Sequence, residues 1–496
     1  MNNFINIISY NPDTPLYFTT GFFLWFFTVF IVVFSIFYKN KNIRVSVIIF
    51  FSLYFYYKCS GSFVILLISV TILNYVLIHL ISKNSKIIKK LILGISLFIN
   101  IGLLVNFKYT YVLFSNYNDF SGNALSPLAI IAPIGISFFT FQNVGYILDV
   151  YRDNLFPTKN ILEHISFSTF FPVIQAGPIL RAENFLKQII LIPEITNERV
   201  GKAVFLIISG LLKKSIISDY ISINFVDRVF DNPLLYSGFE NLFAVFGYAL
   251  QIYCDFSGYS DIAIGIAILI GIHIPPNFNL PYKSQSIKEF WQRWHISLSN
   301  WFRDYIFLPI AYSVARKLKN NCLLGIKAES WSYISGIIIT MFLCGLWHGA
   351  SWNFVIWGGL YGIGISVERI IKSKLKFKSN IYSRSIGAIF TFLFICFCWI
   401  FFRADNIGIA FDVLNQIFTA FNIGIIPQII TGYKEVFVII LAGYLIHYIP
   451  IKFDLFIENL IIKSPLIIKA FYLLLAIWIV VQSKSVQLQP FIYFSF

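Results

Sequence analysis

The sequence predicts an all-α, polytopic integral membrane protein, and three observations carry that class. Of its 496 residues, 58 % are hydrophobic and 12 % charged, whereas soluble domains run about 45–50 % apolar and about 25 % charged. Apolar runs recur along the whole chain, and with about 20 apolar residues needed per ~30 Å hydrocarbon layer they amount to about a dozen crossings. The 38 Lys and Arg outnumber the 23 Asp and Glu, and they gather in short clusters between runs, as the positive-inside bias of membrane proteins requires. A mean hydropathy of +0.75 excludes a soluble globule. The net charge of +15 reads as an orientation signal, so no nucleic-acid partner is expected.

Taken in order, the apolar runs lie near 21–38, 45–57, 62–82, 91–107, 128–148, 201–224, 241–274, 331–347, 352–367, 385–402, 434–449 and 466–482. Nothing at the N-terminus has the basic region and cleavage site of a signal peptide, so the first run is expected to stay as a span. Lys39, Lys41 and Arg44 form one basic cluster, Lys83, Lys86, Lys89 and Lys90 a second, and Arg369, Lys372, Lys374, Lys376 and Lys378 a third. Two spans separate the first two clusters, so both fit the cytoplasmic side and the N-terminus falls outside. The count then puts 283–327 inside and the C-terminus outside, provided 241–274 is one long or broken crossing. The chain reads as a single membrane domain: N-terminal helices over 1–126, a core with re-entrant and interfacial helices over 127–370, and C-terminal helices over 371–496.

Two segments are not ordinary spans. Pro172, Gly177 and Pro178 cut 166–180, and Pro275, Pro276 and Pro281 cut 275–281. Backbone freed by such breaks is tolerated at membrane depth only where protein or a wet cavity surrounds it, so the middle of the chain is expected to be a folded core. No repeat between halves suggests the inverted symmetry of a transporter. The six cysteines show neither disulfide nor zinc spacing, and Cys396 and Cys398 sit in an apolar run, so they are read as packing residues and no metal site is expected.

The densest collection of aromatic and ionisable residues is 286–309. Ser286 with Glu289 three residues on forms a capping box, and the helix it opens is expected to align Trp291, His295 and Leu298 on one face, with Arg293 and Arg303 projecting among them. Such a helix lying in the cytoplasmic interface, with Trp as belt and Arg snorkelling, accounts for the composition without any chemistry. The second stretch, 341–359, places His348 between two apolar runs. An imidazole at membrane depth faces the interior or a wet cavity and is a functional candidate by default, although a neutral His bonded across helices is the simpler alternative. Gly345 and Gly349 allow close approach, Trp347 and Trp352 can wall a channel, and Asn353 can orient the ring or a substrate carbonyl. Cys344 shares the His348 face, but apolar surroundings argue against a thiolate. Asp255 and Asp261 form a third cluster, for which Arg293 and Lys283 are candidate partners. Gln175, Gly177, Pro178 and Arg181 make a polar break lining the same cavity. His79, His164, His273 and His447 lack ligand spacing and read as packing or interface residues.

Together these stretches resemble the membrane-bound O-acyltransferase family, in particular its bacterial branch of alginate O-acetyltransferases. The resemblance rests on PIGISFFTFQNVGYILDVYR at 133–152, FFPVIQAGPILR at 170–181, YCDFSGYSDIAIG at 253–265, FWQRWHISLSNWFRDYIFLP at 290–309, LWHGASWNFVIWG at 346–358, WIFFRA at 399–404 and FIYFSF at 491–496. It implies a ring of about 11–13 transmembrane and re-entrant helices around a central funnel, in the range the apolar runs allow. By the same resemblance His348 takes the place of the family's catalytic histidine and His295 that of the branch's second histidine.

The implied reaction is acyl transfer from a cytoplasmic thioester to a hydroxyl on the outer side, with His348 as general base and donors such as Trp347, Asn353 or His295 aimed at the oxyanion. No bound cofactor is implied; acetyl-CoA is the donor substrate, and Lys283, Lys288, Arg293, Arg303, Arg316 and Lys317 offer its phosphates a basic surface. Asp255, Gln175, Trp347 and Trp352 complete the expected substrate-binding set. The resemblance further implies the inner membrane of a bacterium, a polysaccharide acceptor (alginate, peptidoglycan or another cell-surface glycan), and an extracytoplasmic or membrane-anchored acetyltransferase partner. Two alternatives stay open: D-alanyl transfer from a carrier protein to teichoic acid, and a transporter whose interior His, Asp and Arg form a relay.

Overall fold

The computed structural model describes residues 9–12, 14–121, 132–318, 322–323, 326–374, 380–483 and 489–492. Parts of the expected 128–148 run, of the third basic cluster and of the FIYFSF motif, together with residues 1–8, lie outside the described residues. The N-terminal helices are α1 Gly21–Phe37, α2 Lys41–Ser60, α3 Phe63–Lys83, α4 Lys86–Ser121 and α5 Ile136–Tyr151. The core continues with α6 Ile161–Thr169, α7 Phe171–Ile174, α8 Ala182–Ile189, α9 Asn197–Leu212, α10 Gly238–Ile270, α11 Ile287–Arg293, α12 Ile296–Phe302 and α13 Leu308–Leu318. After a two-stranded ribbon, Cys322–Leu323 against Ile326–Lys327, come α14 Ala328–His348, α15 Trp352–Lys374 and α16 Ile381–Arg403. The last helices are α17 Ile407–Thr419, α18 Ile426–Gly432, α19 Lys434–Tyr448, α20 Ile451–Lys463 and α21 Leu466–Ser483.

Among the described residues, eight helices are long and apolar enough to cross a membrane: α2, α3, α4 as far as Thr110, α10, α14, α15, α16 and α21. Each coincides with one of the expected runs, although α10 stops at Ile270, short of the expected end at 274. Two further pairs, α17 with 423–432 and α19 with α20, qualify only together and bend by 91° at their breaks. Of the remaining apolar runs, the described part of 128–148 and the 201–224 run are taken up mostly by protein, whereas 21–38, expected to be a span, forms the shorter α1, 17 residues long, with Phe23, Phe26, Phe30 and Phe34 buried and Trp25, Val32 and Ile36 exposed. α5 is buried along almost its whole length, and the 201–224 run leaves α9 through π-helical turns at Lys213–Ser218 and Ser222–Val226. An apolar run marks either destination, because lipid and protein core are both dry.

The axis of the molecule is α10. Its 33 residues start at a capping box between Ser237 and Glu240 and end at the left-handed Gly271. Its most apolar window is 89 % buried, against 17 % for the lipid-facing α21. Residues 170–181 pack beside it as the irregular core that the prolines foretell. Their backbone finds partners inside the protein: Phe171 N donates to Ser52 Oγ at 3.1 Å and Ile179 N to Ser297 Oγ at 3.0 Å, which is what non-helical backbone at this depth requires.

α14 and α15 form a tight hairpin. A Cβ on Gly345 would lie 2.2 Å from Phe354 O, and one on Gly358 2.3 Å from Met341 O, so glycine at both positions sets how closely the helices approach. The open end carries an ion pair between Arg369 and Glu329 at 3.0 Å. The closed end carries His348, and α16 runs from Ile381 back to that same end.

Candidate functional site

His348 is the last residue of α14 and is 2 % exposed. Its imidazole is boxed by aromatic rings: Trp347 at 4.8 Å, Trp357 edge-on at 4.9 Å and Phe402 edge-on at 5.0 Å between centroids. The end of the helix that presents it is held by α4. Lys108 Nζ donates to Trp347 O at 2.9 Å and to His348 O at 3.4 Å, and the Tyr109 hydroxyl donates to Leu346 O. The last carbonyls of a helix have no partner within it, and a cation there also meets the negative end of the helix dipole.

The second histidine arrives by a break, not on a continuous helix. The expected single helix from Ser286 ends at Arg293: Trp294 is extended, and His295 is left-handed at φ 42°, ψ 55° before α12 restarts. The cause is a distant segment that claims the backbone. Asn279 N donates to Arg293 O and Ile296 N to Asn277 O, both at 2.9 Å, while Asn277 Oδ1 accepts from Ser297 N at 3.0 Å and Ser297 Oγ at 2.8 Å. His295 Nδ1 lies 3.3 Å from the same Oδ1. The expected alignment of Trp291, His295 and Leu298 on one helical face therefore does not occur. A non-glycine residue in this conformation is costly and persists only where its surroundings dictate it. Of the capping box, half forms: Ser286 Oγ accepts from Glu289 N at 3.1 Å, while Glu289 Oε2 accepts from Gln285 N at 2.9 Å.

The break brings the histidines together across Trp347, whose ring lies 6.4 Å from His295 and 4.8 Å from His348. Burial pulls the His295 imidazole down to about 3, because desolvation penalises the charged form; the ring is neutral at physiological pH.

Cavities approach this pair from two sides. A cavity of about 400 Å³ runs from the exposed Lys288 and Arg303 to the buried Met341 and Cys344, with Trp291 in its wall. An adjoining space of about 350 Å³ shares Lys288 and adds Arg369 and Lys372. Between the larger cavity and His348 stand Cys344, one helical turn before the histidine, and Trp357, whose ring is 5.7 Å from Trp291. On the other side a smaller cavity of about 50 Å³ is lined by Lys108, Pro133, Gln175, Trp347 and His348.

The remaining expected residues divide. Gln175 lines the small cavity, its Nε2 donating to Leu16 O at 3.0 Å and its Oε1 accepting from the Tyr259 hydroxyl at 3.1 Å. Arg303 lines the large cavity and pairs with Asp304 at 2.8 Å. Asn353 does not face the imidazole with its amide: Nδ2 donates to Ala404 O at 2.6 Å, tying α15 to the end of α16. Trp352 is 69 % exposed and walls no channel. Asp255 pairs not with Arg293 or Lys283 but with Lys214 at 2.5 Å, and Asp261 with Lys213 at 2.7 Å, because the π-helical turn after α9 delivers both lysines to α10. Arg293 instead bonds Glu289 at 2.9 Å and Lys283 donates to Ile449 O at 2.9 Å. Three cations escape a reading of the sequence by runs: Lys108, Lys214 and Arg403. The signal was there, since a lone basic residue within or beside an apolar run needs a buried partner.

The sequence matches the membrane-bound O-acyltransferase family over residues 152–410. It is 31 % identical over 396 residues to the peptidoglycan O-acetyltransferase of Helicobacter pylori, covering 73 % of this chain and 72 % of that protein. It is 36 % identical over 290 residues to a probable alginate O-acetylase of Azotobacter vinelandii, covering 58 % of this chain and 54 % of that one. It is 33 % identical over 283 residues to the teichoic acid D-alanyltransferase of Bacillus subtilis, covering 55 % and 68 %. The alignment thus spans most of the first relative and about half of the second. With its helices long enough to cross a membrane several times and with His295 and His348 buried among them, the chain belongs to the membrane-bound O-acyltransferase family and is a multi-pass membrane acyltransferase.

Proposed function

We propose that the protein transfers an acetyl group from cytoplasmic acetyl-CoA to a hydroxyl bound for an extracytoplasmic polysaccharide. The observation that carries this is the position of His348, boxed by aromatic rings between a large cavity with basic residues at its exposed end and a small cavity on the opposite side. Lys288, Arg303, Arg369 and Lys372 suit the phosphates of CoA, for which several cations at one entrance supply both attraction and orientation.

In this reading the acceptor hydroxyl reaches His348 from the small-cavity side and gives its proton to the imidazole as its oxygen attacks the thioester carbonyl. The new C–O bond forms, the C–S bond breaks, and the leaving thiolate takes the proton back from the imidazolium. A dry aromatic box strengthens every donor aimed at the carbonyl oxygen. Lys108 fixes the helix end that presents His348, and the neutral His295 shares the Trp347 wall.

The acceptor is a cell-surface glycan, and a partner outside the membrane, or anchored to it, completes transfer to the polymer in the envelope of a bacterium whose inner membrane holds this chain. The relationship to a teichoic acid D-alanyltransferase supports a second reading, in which the acyl group is D-alanyl and the donor a carrier protein. Release of CoA from acetyl-CoA by the purified protein in lipid, lost in a His348→Ala variant of unchanged thermal stability, is the expected result. No release in the presence of glycan and partner overturns the acetyl donor in favour of D-alanyl transfer.

A further inference from the structure

A third cavity, of about 390 Å³, lies one layer of side chains from the histidines and takes no part in the reaction above. Its Arg403 follows Phe402, whose ring packs on His348, and its Asp255 precedes Phe256, whose ring is 4.6 Å from His295. It therefore sits at the end of α16 remote from Ile381 and from the basic entrance.

The lining is rich in acceptors and negatively charged. Five carboxylates face two cations. Lys214 is shared by Asp219 at 2.8 Å and Asp255 at 2.5 Å, and Arg403 by Asp227 at 2.9 Å, Asp231 at 3.4 Å and Asp405 at 3.7 Å. One wall is backbone from the end of the chain: Pro490 O accepts from Lys214, and Ile492 N donates to Asp255 Oδ2 at 2.9 Å.

A second observation is independent of the carboxylates. Tyr248 and Gln251 line the cavity at 1 % and 4 % exposure, and neither the Tyr248 hydroxyl nor Gln251 Oε1 has a hydrogen-bond partner among the described residues. Buried polar atoms are rarely left so, and each such group calls for a water, an ion or a ligand. The volume lies within the ~300–1,000 Å³ usual for ligand pockets.

We propose that this cavity binds an uncharged, hydroxyl-rich sugar unit of the acceptor glycan and excludes uronate polymers. A sugar hydroxyl supplies the donor that Gln251 Oε1 lacks, the Tyr248 hydroxyl both donates and accepts, and carboxylate oxygens at the exposed Asp231 and Asp405 can accept further hydroxyls. A uronate brings one negative charge per unit into a wall of the same sign in a partly desolvated site. The proposal rests on the acyl-transfer reading and narrows its acceptor.

The test is equilibrium binding to the full chain in phosphatidylcholine nanodiscs, whose lipid carries no net charge. The probes are three tetrasaccharides: N-acetylglucosamine (uncharged), glucosamine (cationic) and mannuronate (anionic). The uncharged probe is expected to bind at least tenfold more tightly than mannuronate at 50 mM salt, with the gap closing at 500 mM as charges are screened. Tyr248→Phe, which keeps the ring, should weaken the uncharged probe about three- to tenfold, as loss of one hydrogen bond does. Asp231→Asn with Asp405→Asn, both exposed positions, should narrow the gap. Mannuronate binding as tightly as the uncharged probe overturns the proposal. So does uncharged-probe binding unmoved by both Tyr248→Phe and Gln251→Leu, and so does glucosamine binding more than tenfold tighter than its acetylated form. CoA release in the same preparations is read separately: sugar binding without His348-dependent release defeats the acyl-transfer reading and leaves the cavity's assignment standing.

Discussion

Lys108 and His348 come from helices far apart in sequence, yet the ammonium of the first caps the helix that ends in the second, at 2.9 Å from Trp347 O and 3.4 Å from His348 O. The same ammonium lies 5.5 Å from the centroid of the Trp347 ring. The imidazole proposed as catalytic is thus presented by a helix terminus that a half-buried cation holds in place.

Replacing Lys108 by Met keeps the volume of the stem and removes the cap. We expect turnover to fall about 10- to 100-fold, the scale of a loss of positioning, with the KM for acetyl-CoA within a factor of two or three. Lys108→Arg should recover part of the turnover. Steady-state CoA release gives both parameters, and a change in KM alone would place Lys108 with the donor instead.

The basic entrance makes the opposite prediction. Arg369→Ala with Lys372→Ala should raise the KM for acetyl-CoA about three- to tenfold at low salt and leave turnover unchanged. The difference from wild type should shrink above about 0.3 M salt, where the screening length is shorter than ~6 Å. The glutamate partners Glu329 and Glu368 keep the native effect of each cation modest.

Lys214 holds two carboxylates, one of them, Asp255, fully buried. Lys214→Met should cost about 3–5 kcal/mol, because removing one partner strands a charge away from water. Lys214→Met combined with Asp255→Leu should recover much of that loss. Thermal unfolding of the three variants in one lipid tests the cycle; equal loss in the single and double variants would contradict it.

His295 supplies a pH dependence whose sign follows from burial. Its imidazole is held neutral down to about 3, below the ordinary 6.5, so the unfolded chain binds a proton that the folded chain refuses. Stability from this group is therefore constant above pH 6.5 and falls as pH drops below it, by about 2 kcal/mol at pH 5. Thermal midpoints at pH 8, 7, 6 and 5 should decline more steeply for wild type than for His295→Gln below 6.5 and run parallel above it.

The parts of the architecture that depend on local composition were legible in the sequence. All eight long spans coincide with expected runs, the broken core at 170–181 follows from its prolines, and the burial of His348 follows from the apolar residues flanking it. What depends on distant partners was not. The break at Trp294 and His295 is enforced by Asn277 and Asn279, which no helical periodicity reveals. The partner of Asp255 was sought among cations near in sequence or expected on the cytoplasmic side, whereas a π-helical turn in a run that reads as a plain span supplies Lys214. Asn353 reads as a polar group beside a histidine and is spent on Ala404 O. Trp352 reads as channel wall, but α15 turns it outward.

His348, in the proposed reaction, joins two sides of the membrane. The direct measurement uses sealed vesicles holding the full chain in one orientation, acetyl-labelled acetyl-CoA supplied only at the basic face, and glycan with partner only at the opposite face. Label is expected on the glycan while CoA stays in the compartment of the donor, with no label in the His348→Ala variant. Label that appears only when donor and glycan share a compartment would contradict the proposed reaction.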